Sequence, residues 1–156
     1  MTYVTSGTLG VDFAATPTTA DHTLGTCVAG SDGTEWVYVQ ANGAIAQYDA
    51  VGVDENYQAA ALTKAMADDG YVIGAAQAAF ADDDYGWVAT KGSNVKVNLL
   101  TLCAADVALY TSATAGKLDD TSTSQTKIDG IVAVTGGVTG TTATEVIMTH
   151  PKSTTF

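Results

Sequence analysis

Grouped carboxylates are the first feature of this sequence that could do chemistry. Asp82–Asp84 form a consecutive run, and hard oxygen ligands of this kind suit calcium. The run lacks the alternate-residue spacing and the downstream glutamate of an EF-hand loop. We therefore expect a solvated turn before Tyr85, and whether the three carboxylates bind a cation stays open. The pairs Asp68–Asp69 and Asp119–Asp120 are also interpreted as turn residues, because aspartate caps its own backbone.

Catalytic residues are the second possibility, and the sequence favours none. A Ser-His-Asp or Cys-His site would need His22 or His150, and neither lies in a recognisable motif. Glycoside hydrolysis needs two carboxylates, which Glu35, Glu55 and Glu145 supply in pairs, as any acidic chain would. The sequence therefore predicts no enzyme and no cofactor.

The two cysteines are too far apart in sequence to indicate a metal or redox motif. Cys27 and Cys103 match no ligand spacing. We expect two small buried apolar side chains and no metal site, with a disulfide left open.

Four aromatic residues stand in predicted strands and are candidates for stacking on sugars if they are exposed. Their strand positions favour packing in the core or between subunits instead. They are Trp36, Tyr38, Tyr85 and Trp87.

Length and charge limit the classes of partner. A chain of 156 residues suits one domain, and six lysines with no arginine against seventeen acids give a net charge of −11. That charge disfavours nucleic acid and anionic membranes, which both attract basic surfaces. The start lacks a signal-peptide pattern, and no apolar run is long enough to span a membrane. We expect a soluble protein synthesised in the cytoplasm.

Short alternating apolar segments separated by turns predict the fold. Val95, Val97 and Leu99, for example, alternate with polar residues in the two-residue period of a half-buried strand. The pattern predicts an all-β, antiparallel sandwich or barrel-like domain with at most one short helix, a single turn after Thr63. The predicted strands are Trp36–Gln40, Ala60–Thr63, Tyr71–Ala76, Tyr85–Thr90, Asn94–Leu99, Val107–Tyr110, Ile128–Val134 and Glu145–Thr149.

Two glycine-containing segments are predicted to be hairpin turns. Lys91–Ser93 would join the strands on either side of it, and Asn42-Gly43 supplies the positive φ angles of a tight turn before Ala44–Ala46. A weak internal echo pairs Trp36-Val37 with Trp87-Val88, Ala61-Leu62 with Ala108-Leu109, and Ile73-Gly74 with Gly130-Ile131. Coincidence is the favoured interpretation, and two related sheet halves is the alternative.

The N-terminal thirty residues are rich in threonine, glycine and alanine and show little periodicity. Thr16 precedes Pro17 and is therefore expected to be extended. We predict an extended N-terminal arm over residues 1–30, followed by a single β domain over residues 31–156. An arm of this kind can order on a partner, for example by adding to the edge of a sheet.

Five segments of the body resemble the head decoration, or cement, proteins of tailed bacteriophages. The resemblance covers roughly residues 33–150. The segments are Ala60–Gly70, Ile73–Gln77, Tyr85–Val88, Leu109–Gly116 and Ile128–Ala133.

The resemblance implies a mostly β structural protein without enzymatic activity. It would bind the outer surface of the phage capsid through the major capsid protein and stabilise the expanded shell. It would act as a homo-oligomer, with a trimer favoured. Because some decoration proteins contact the capsid through an N-terminal arm, the resemblance assigns capsid or subunit contacts to this end of the chain. The residues are Thr2, Tyr3, Val4, Leu9, Val11, Phe13 and Leu24.

A carbohydrate- or surface-binding β-sandwich module of a phage fibre or cell-surface array is the alternative. Exposed Trp36 or Trp87 would favour that module, whereas buried tryptophans would favour decoration. An enzyme ranks third, because it would need a cleft that gathers a histidine with several acids.

Overall fold

The alternating pattern correctly predicts an all-β chain. The computed structural model describes residues 4–5, 8–136 and 142–155, with side chains within 10–136 and 143–155. The described part contains one short helix, α1 (Lys64–Asp68), between β6 and β7. The strands are β1 (Val4–Thr5), β2 (Thr8–Leu9), β3 (Cys27–Ala29), β4 (Glu35–Ala41), β5 (Ala50–Val53), β6 (Gln58–Ala61), β7 (Val72–Ala76), β8 (Tyr85–Leu99), β9 (Leu109–Thr111), β10 (Leu118–Asp119), β11 (Lys127–Ala133) and β12 (Thr142–Ser153).

Five of these strands close into a first barrel. β4 pairs antiparallel with β8, which pairs with β7, and β7 and β6 both pair antiparallel with β5. A short parallel pairing of β6 with β4, where Gln58 lies opposite Gln40, closes the ring. Closure satisfies the backbone of strands that would otherwise be sheet edges.

A second barrel repeats this order and shares β8 with the first. β8 pairs antiparallel with β12, β12 with β11, β11 with β9 and β9 with β10. One parallel pairing, Leu118 with Leu99, returns from β10 to β8 and closes the ring. Each barrel therefore has the same sequence of antiparallel and parallel neighbours, with β8 as last strand of one and first strand of the other.

Equivalent loop hydrogen bonds support the repeat. Tyr48 N donates to Ala76 O at 2.8 Å in the first barrel, and Asp106 N donates to Ala133 O at 3.1 Å in the second. The fold therefore consists of two related halves, so the favoured interpretation of the internal echo as coincidence was wrong. Of the predicted echoes, Ile73-Gly74 with Gly130-Ile131 falls on the equivalent strands β7 and β11. Trp36-Val37 and Trp87-Val88 lie on β4 and β8 but pair with each other inside the first barrel, where Val37 is opposite Val88, so their positions are not equivalent. Ala61-Leu62 and Ala108-Leu109 fall at β6 and β9, which are not equivalent strands.

Each barrel has its own apolar interior. Alternation along β4 places Val37 and Val39 inside the first barrel and Trp36 and Tyr38 on its outer face. The first interior contains Val37, Val39, Ala41, Ile45, Val51, Val53, Ala59, Ala76, Phe80 and Val88. The strands of the second barrel bury Val95, Val97, Leu99, Leu109, Leu118, Ile128, Ile131, Ala133, Val146 and Met148.

The predicted hairpin at Lys91–Ser93 is wrong, because β8 runs unbroken through it. Gly92 has φ +151, and a Cβ there would lie 2.7 Å from Thr34 Cγ2. Register shifts occur on both neighbouring ladders near this point. The glycine thus marks a bulge where the strand passes from one barrel to the next.

The predicted hairpin at Asn42-Gly43 is also wrong, although the chain does turn there. Gly43 has φ +97 and its N–H donates to Asp82 Oδ1 at 2.7 Å. The following residues do not pair back on β4, because β3, β6 and β8 occupy its two edges. Ile45 makes an isolated bridge with Phe80 instead.

The segment before β3 packs on the outer face of the first barrel. Phe13 stacks on Trp36 with ring centroids 4.3 Å apart and contacts Trp87 edge-on at 5.8 Å. His22 lies against Tyr38 and Trp87 at 5.1 and 5.2 Å. From residue 10 onward, the predicted arm therefore orders on its own domain, and the boundary at residue 30 stays a prediction.

The ambiguous alanine-rich segment resolves as predicted, into a strand followed by one helical turn. β6 ends at Ala61 and α1 begins at Lys64, with Thr63 as N-cap accepting a hydrogen bond from Met66 N at 3.3 Å. Gly70 follows with φ +80 and ends the turn.

Candidate functional site

An apolar groove opens between β3 and the turn that connects β5 to β6. It has a volume of about 450 Å³. All three residues of β3 line one side, and Val53 and Tyr57 line the opposite side with Val72 of β7. Tyr57 is 42% exposed and Val72 is 56% exposed, which makes them two of the most exposed large apolar side chains in the described part. This groove is the candidate functional site, and we call it the β3 groove.

The groove exists because β4 has two different neighbours along one edge. β3 pairs with the first half of β4, where Cys27 lies opposite Val37. β6 pairs only with its last residues, where Ala59 lies opposite Ala41. The edge of β3 and the β5–β6 turn consequently face each other across an open interval. In this turn, Tyr57 has φ +60.

An ion-paired cluster stands at the rim of the groove. Lys91 Nζ lies 2.7 Å from Glu35 Oε1, and His150 Nε2 lies 3.1 Å from Glu35 Oε2. The hydrogen bond from Lys91, with the positive charges of Lys91 and His150, lowers the pKa of Glu35 below its ordinary value. One glutamate therefore partners both basic groups at this rim.

A second depression beside the groove is acidic. It is lined by Asp54, Glu55 and Asp69, and it shares Tyr57 and Val72 with the groove. Asp54 Oδ1 accepts hydrogen bonds from Asn56 N and Gln58 N, which shape the turn. Among the described residues, Glu55 and Asp69 form no ion pair. The groove therefore has Asp54 in its own lining and two further carboxylates in the neighbouring depression.

None of the predicted contact residues whose side chains the structure describes lines this groove. Thr2 and Tyr3 lie outside the described residues, and Val4 and Leu9 pair in the small β1–β2 sheet.

The later contact candidates lie within the fold itself. Val11 and Phe13 are buried in the core cluster, and Leu24 packs against that cluster while partly buried. A buried side chain offers no surface to a partner in this conformation. We therefore do not carry Val11 and Phe13 into the proposal below.

The histidines lack the neighbours that catalysis requires. His150 contacts Glu35, but no described serine, threonine or cysteine donates a hydrogen bond to its ring. Cys27 also lines the groove, yet its thiol is directed to Gly25 O at 3.5 Å. Activation of a nucleophile needs direct contact with its base, and this geometry does not provide it.

His22 is engaged by aromatic rings. It packs against both Tyr38 and Trp87 on the outer face of the first barrel. The acids Glu55 and Glu145 are both exposed and make no described contact with either histidine. The structure thus assembles no catalytic pair from the candidates that the sequence offers, within the residues it describes.

The cysteines differ from each other, so the prediction that both are buried is half wrong. Both are free, but Cys27 is exposed at the sheet edge, whereas Cys103 is buried. Burial, with Asp120 and Asp119 nearby, raises the pKa of Cys103 to about 11. Its sulfur and those two carboxylates lie within 4.8 Å of one another. Asp120 Oδ2 also accepts a hydrogen bond from Ala104 N at 2.9 Å, which accounts for one of the two carboxylates.

The acidic run before β8 is a turn, as predicted. Asp84 Oδ2 accepts Ala81 N at 2.9 Å, and Asp82 accepts Gly43 N, so two of the three carboxylates cap the backbone. Asp83 adopts φ +67. These hydrogen bonds account for aspartate at positions 82 and 84.

The capsid or subunit contacts predicted from the sequence include none of the β3 groove residues, although Trp36, a candidate for sugar stacking or subunit packing, lines the groove. One signal was available: alternation in β7 places Ile73 and Ala75 on a buried face and Val72 at the exposed start of the strand. The pairings of Cys27 with Val37 and of Val72 with Val53, which bring both residues to the groove, leave no local pattern in the sequence.

Comparison with known proteins identifies no relative of this chain. A scan against family models, a search of curated proteins and a search of solved structures find no match to this chain. The described helix is also far shorter than a bilayer-spanning helix needs to be.

Proposed function

We propose that this protein is a head decoration, or cement, protein of a tailed bacteriophage, without enzymatic activity. It binds the major capsid protein on the outside of the virion and stabilises the expanded shell as a homo-oligomer, with a trimer favoured. The observation that carries the proposal is the β3 groove: an exposed apolar surface in an acidic all-β domain. The resemblance of the body segments to this family supports the same function.

The burial of the two tryptophans favours decoration over the carbohydrate-binding alternative. Trp36 is 6% exposed and Trp87 is 3% exposed, and Phe13 stacks on Trp36 and meets Trp87 edge-on. Sugar recognition by stacking needs an exposed ring face, and both rings are almost fully buried. No specific observation therefore favours the carbohydrate-binding module, and decoration remains the function that the geometry supports best.

A physical mechanism connects surface binding to shell stability. Each contact of one subunit with the capsid is weak, but a second or third contact forms at high effective concentration once the first is made. A ligand that binds the expanded shell and not the collapsed one stabilises the expanded state by mass action. The negative charge keeps the free protein dispersed before it binds.

The test is occupancy on purified expanded capsids that lack this protein. We expect the full chain to bind and to raise the temperature at which the capsids disrupt. Val72→Lys should reduce occupancy about tenfold, because the lysine charge would have to be desolvated at the interface. Val107→Lys is the matched control, since Val107 is an exposed valine outside the groove, and it should leave occupancy unchanged.

Two outcomes would reject parts of the proposal. Full-length protein that does not bind expanded capsids would contradict the function. Deletion of residues 2–9 tests the contacts predicted for Thr2, Tyr3, Val4 and Leu9 and leaves Phe13 in place, so the outer face of the first barrel stays covered. Unchanged occupancy after that deletion would reject a capsid-binding role for these four residues.

A further inference from the structure

β3 is the last strand of its sheet and has a free edge directed into the groove. We propose that this edge accepts an extended segment of a partner protein, which adds as a further strand between β3 and the β5–β6 turn. The segment carries alternate apolar residues with lysine or arginine beside them. This inference rests on the proposed function only in naming the major capsid protein as the protein that carries the segment.

The backbone of β3 has hydrogen-bonding groups available for an added strand. Tyr38 N donates to Thr26 O at 2.9 Å and Gly30 N donates to Thr34 O at 2.7 Å. In an antiparallel ladder these bonded pairs alternate with unbonded ones, so Cys27 and Ala29 direct their N–H and C=O groups away from β4. No described strand pairs with that side of β3.

The groove has the chemistry that an added strand needs. The outward-facing residues Cys27 and Ala29 are exposed, while Val28 between them is buried. Val53, Tyr57 and Val72 form an apolar wall opposite this edge. A segment paired with β3 would bury alternate side chains against that wall and direct the others to solvent.

Charge selects a basic partner over a second copy of this chain. Asp54 lines the groove and Glu55 and Asp69 line the depression beside it, whereas the basic groups at the rim, Lys91 and His150, are already paired with Glu35. A symmetric contact of two copies through this surface would bring these acids of both copies together, and like charges repel. A lysine- or arginine-flanked segment would instead be attracted to Glu55 and Asp69, which form no described ion pair.

A short synthetic peptide tests strand addition on the full chain. The probe alternates valine and threonine and has a lysine at each end. Titration into isotope-labelled protein, followed by amide chemical shifts, should give saturable changes at Cys27 and Ala29 and slowed exchange of their amide hydrogens. The same peptide with glutamate at each end should bind about tenfold more weakly, since exposed ion pairs contribute modestly. Equal affinity for both peptides, or shifts confined to another surface, would overturn the inference.

Variants of the protein test the same contacts from the other side. Ala29→Pro removes an outward N–H without removing a ladder hydrogen bond to β4, and Ala29→Val retains it. We expect the proline variant to lose peptide binding and the valine variant to keep it. Binding retained by a folded Ala29→Pro protein would contradict strand addition.

Charge reversal provides a second test if the proline variant does not fold. Glu55→Lys combined with Asp69→Lys should weaken the lysine-ended peptide about tenfold and improve binding of the glutamate-ended peptide. Glu145→Lys, at an exposed acid of β12, is the matched control and should change neither affinity. Unchanged affinities in the double variant would contradict the choice of a basic partner.

Capsid occupancy separates this inference from the proposed function. Peptide binding that Ala29→Pro abolishes, with no change in capsid occupancy, would establish strand addition and exclude the capsid protein as owner of the segment. Absence of peptide binding, with normal capsid occupancy, would overturn the inference and leave the decoration function standing.

Discussion

Lys117 Nζ and Asp49 Oδ1 form an ion pair that joins the two barrels. Asp49 precedes β5 of the first barrel, and Lys117 precedes β10 of the second. The side chains are only 7% and 15% exposed, respectively, and Asp49 also accepts hydrogen bonds from Asn98 Nδ2 at 2.9 Å and Ala46 N at 3.3 Å. The pair thus links three parts of the fold in a largely buried site.

Removal of Asp49 should be strongly destabilising. Asp49→Ala leaves the Lys117 ammonium buried without its partner, so we expect the free energy of unfolding to fall by about 3–5 kcal/mol. Chemical denaturation measures this loss. Asp129→Ala is the control, because its pair with Lys127 is 45% and 41% exposed, and it should cost less than about 1 kcal/mol. Equal losses in the two variants would contradict a structural role for the inter-barrel pair.

Gly116 should tolerate substitution less well than Gly33, although both have positive φ. A Cβ at Gly116 would lie 2.6 Å from Asp49 Cγ, whereas a Cβ at Gly33 meets nothing within 4 Å. The backbone strain of alanine, about 1 kcal/mol, is common to both variants. We expect Gly116→Ala to cost about 1–3 kcal/mol more than Gly33→Ala in thermal or denaturant unfolding, because it also displaces the buried carboxylate. Similar stabilities would indicate that Asp49 can move without loss.

The fold class follows from the sequence because strand alternation is a local signal. Trp36–Gln40 and Glu145–Thr149, for example, fall within β4 and β12. Gly92 was wrongly predicted to lie in a turn, because a glycine between two strand patterns can mark either a turn or a bulge. Only the packing of Thr34 against Gly92 indicates the bulge. β8 can be shared by the two barrels only because Gly92 is a bulge within one continuous strand.

The candidate site was harder to predict from the sequence than the fold was. The β3 groove is lined by residues far apart in sequence, such as Cys27 and Val72. Neither residue belongs to a motif, and an edge strand cannot be identified until its neighbours are known. The exposure of Cys27 was missed for the same reason.

Phe13 should contribute to stability as a core residue would. It is buried and contacts both tryptophans of the first barrel. Phe13→Ala should therefore reduce the free energy of unfolding by about 3–5 kcal/mol and increase the solvent exposure of tryptophan fluorescence. Thr18→Ala, at an exposed position of the same segment, is the control and should have little effect. A stable Phe13→Ala variant with unchanged fluorescence would show that the segment does not anchor to the barrel.

The two thiols should react at very different rates. Cys27 is exposed on β3, whereas Cys103 is buried and has its pKa raised to about 11 by burial and by Asp120 and Asp119. Because the thiolate is the reactive form, a chromogenic disulfide reagent at neutral pH should modify Cys27 quickly and Cys103 only after denaturant is added. Cys27→Ser should remove the fast phase alone. Two fast phases in native wild-type protein would contradict the burial of Cys103.

Glu35 should make a small, pH-dependent contribution to stability. The hydrogen bond from Lys91 and the neighbouring positive charges lower its pKa in the folded state, so folding favours the ionised form. That contribution is fully present above the ordinary glutamate pKa of 4.5 and is lost as pH falls through the lowered folded value. Because the side chain is 38% exposed, Glu35→Gln should cost less than about 1 kcal/mol at pH 7. The difference in unfolding free energy between wild type and Glu35→Gln should shrink as the pH is lowered from 5 through that folded value. A difference that is constant over this range would mean that the carboxylate charge does not hold Lys91 and His150 at the groove rim.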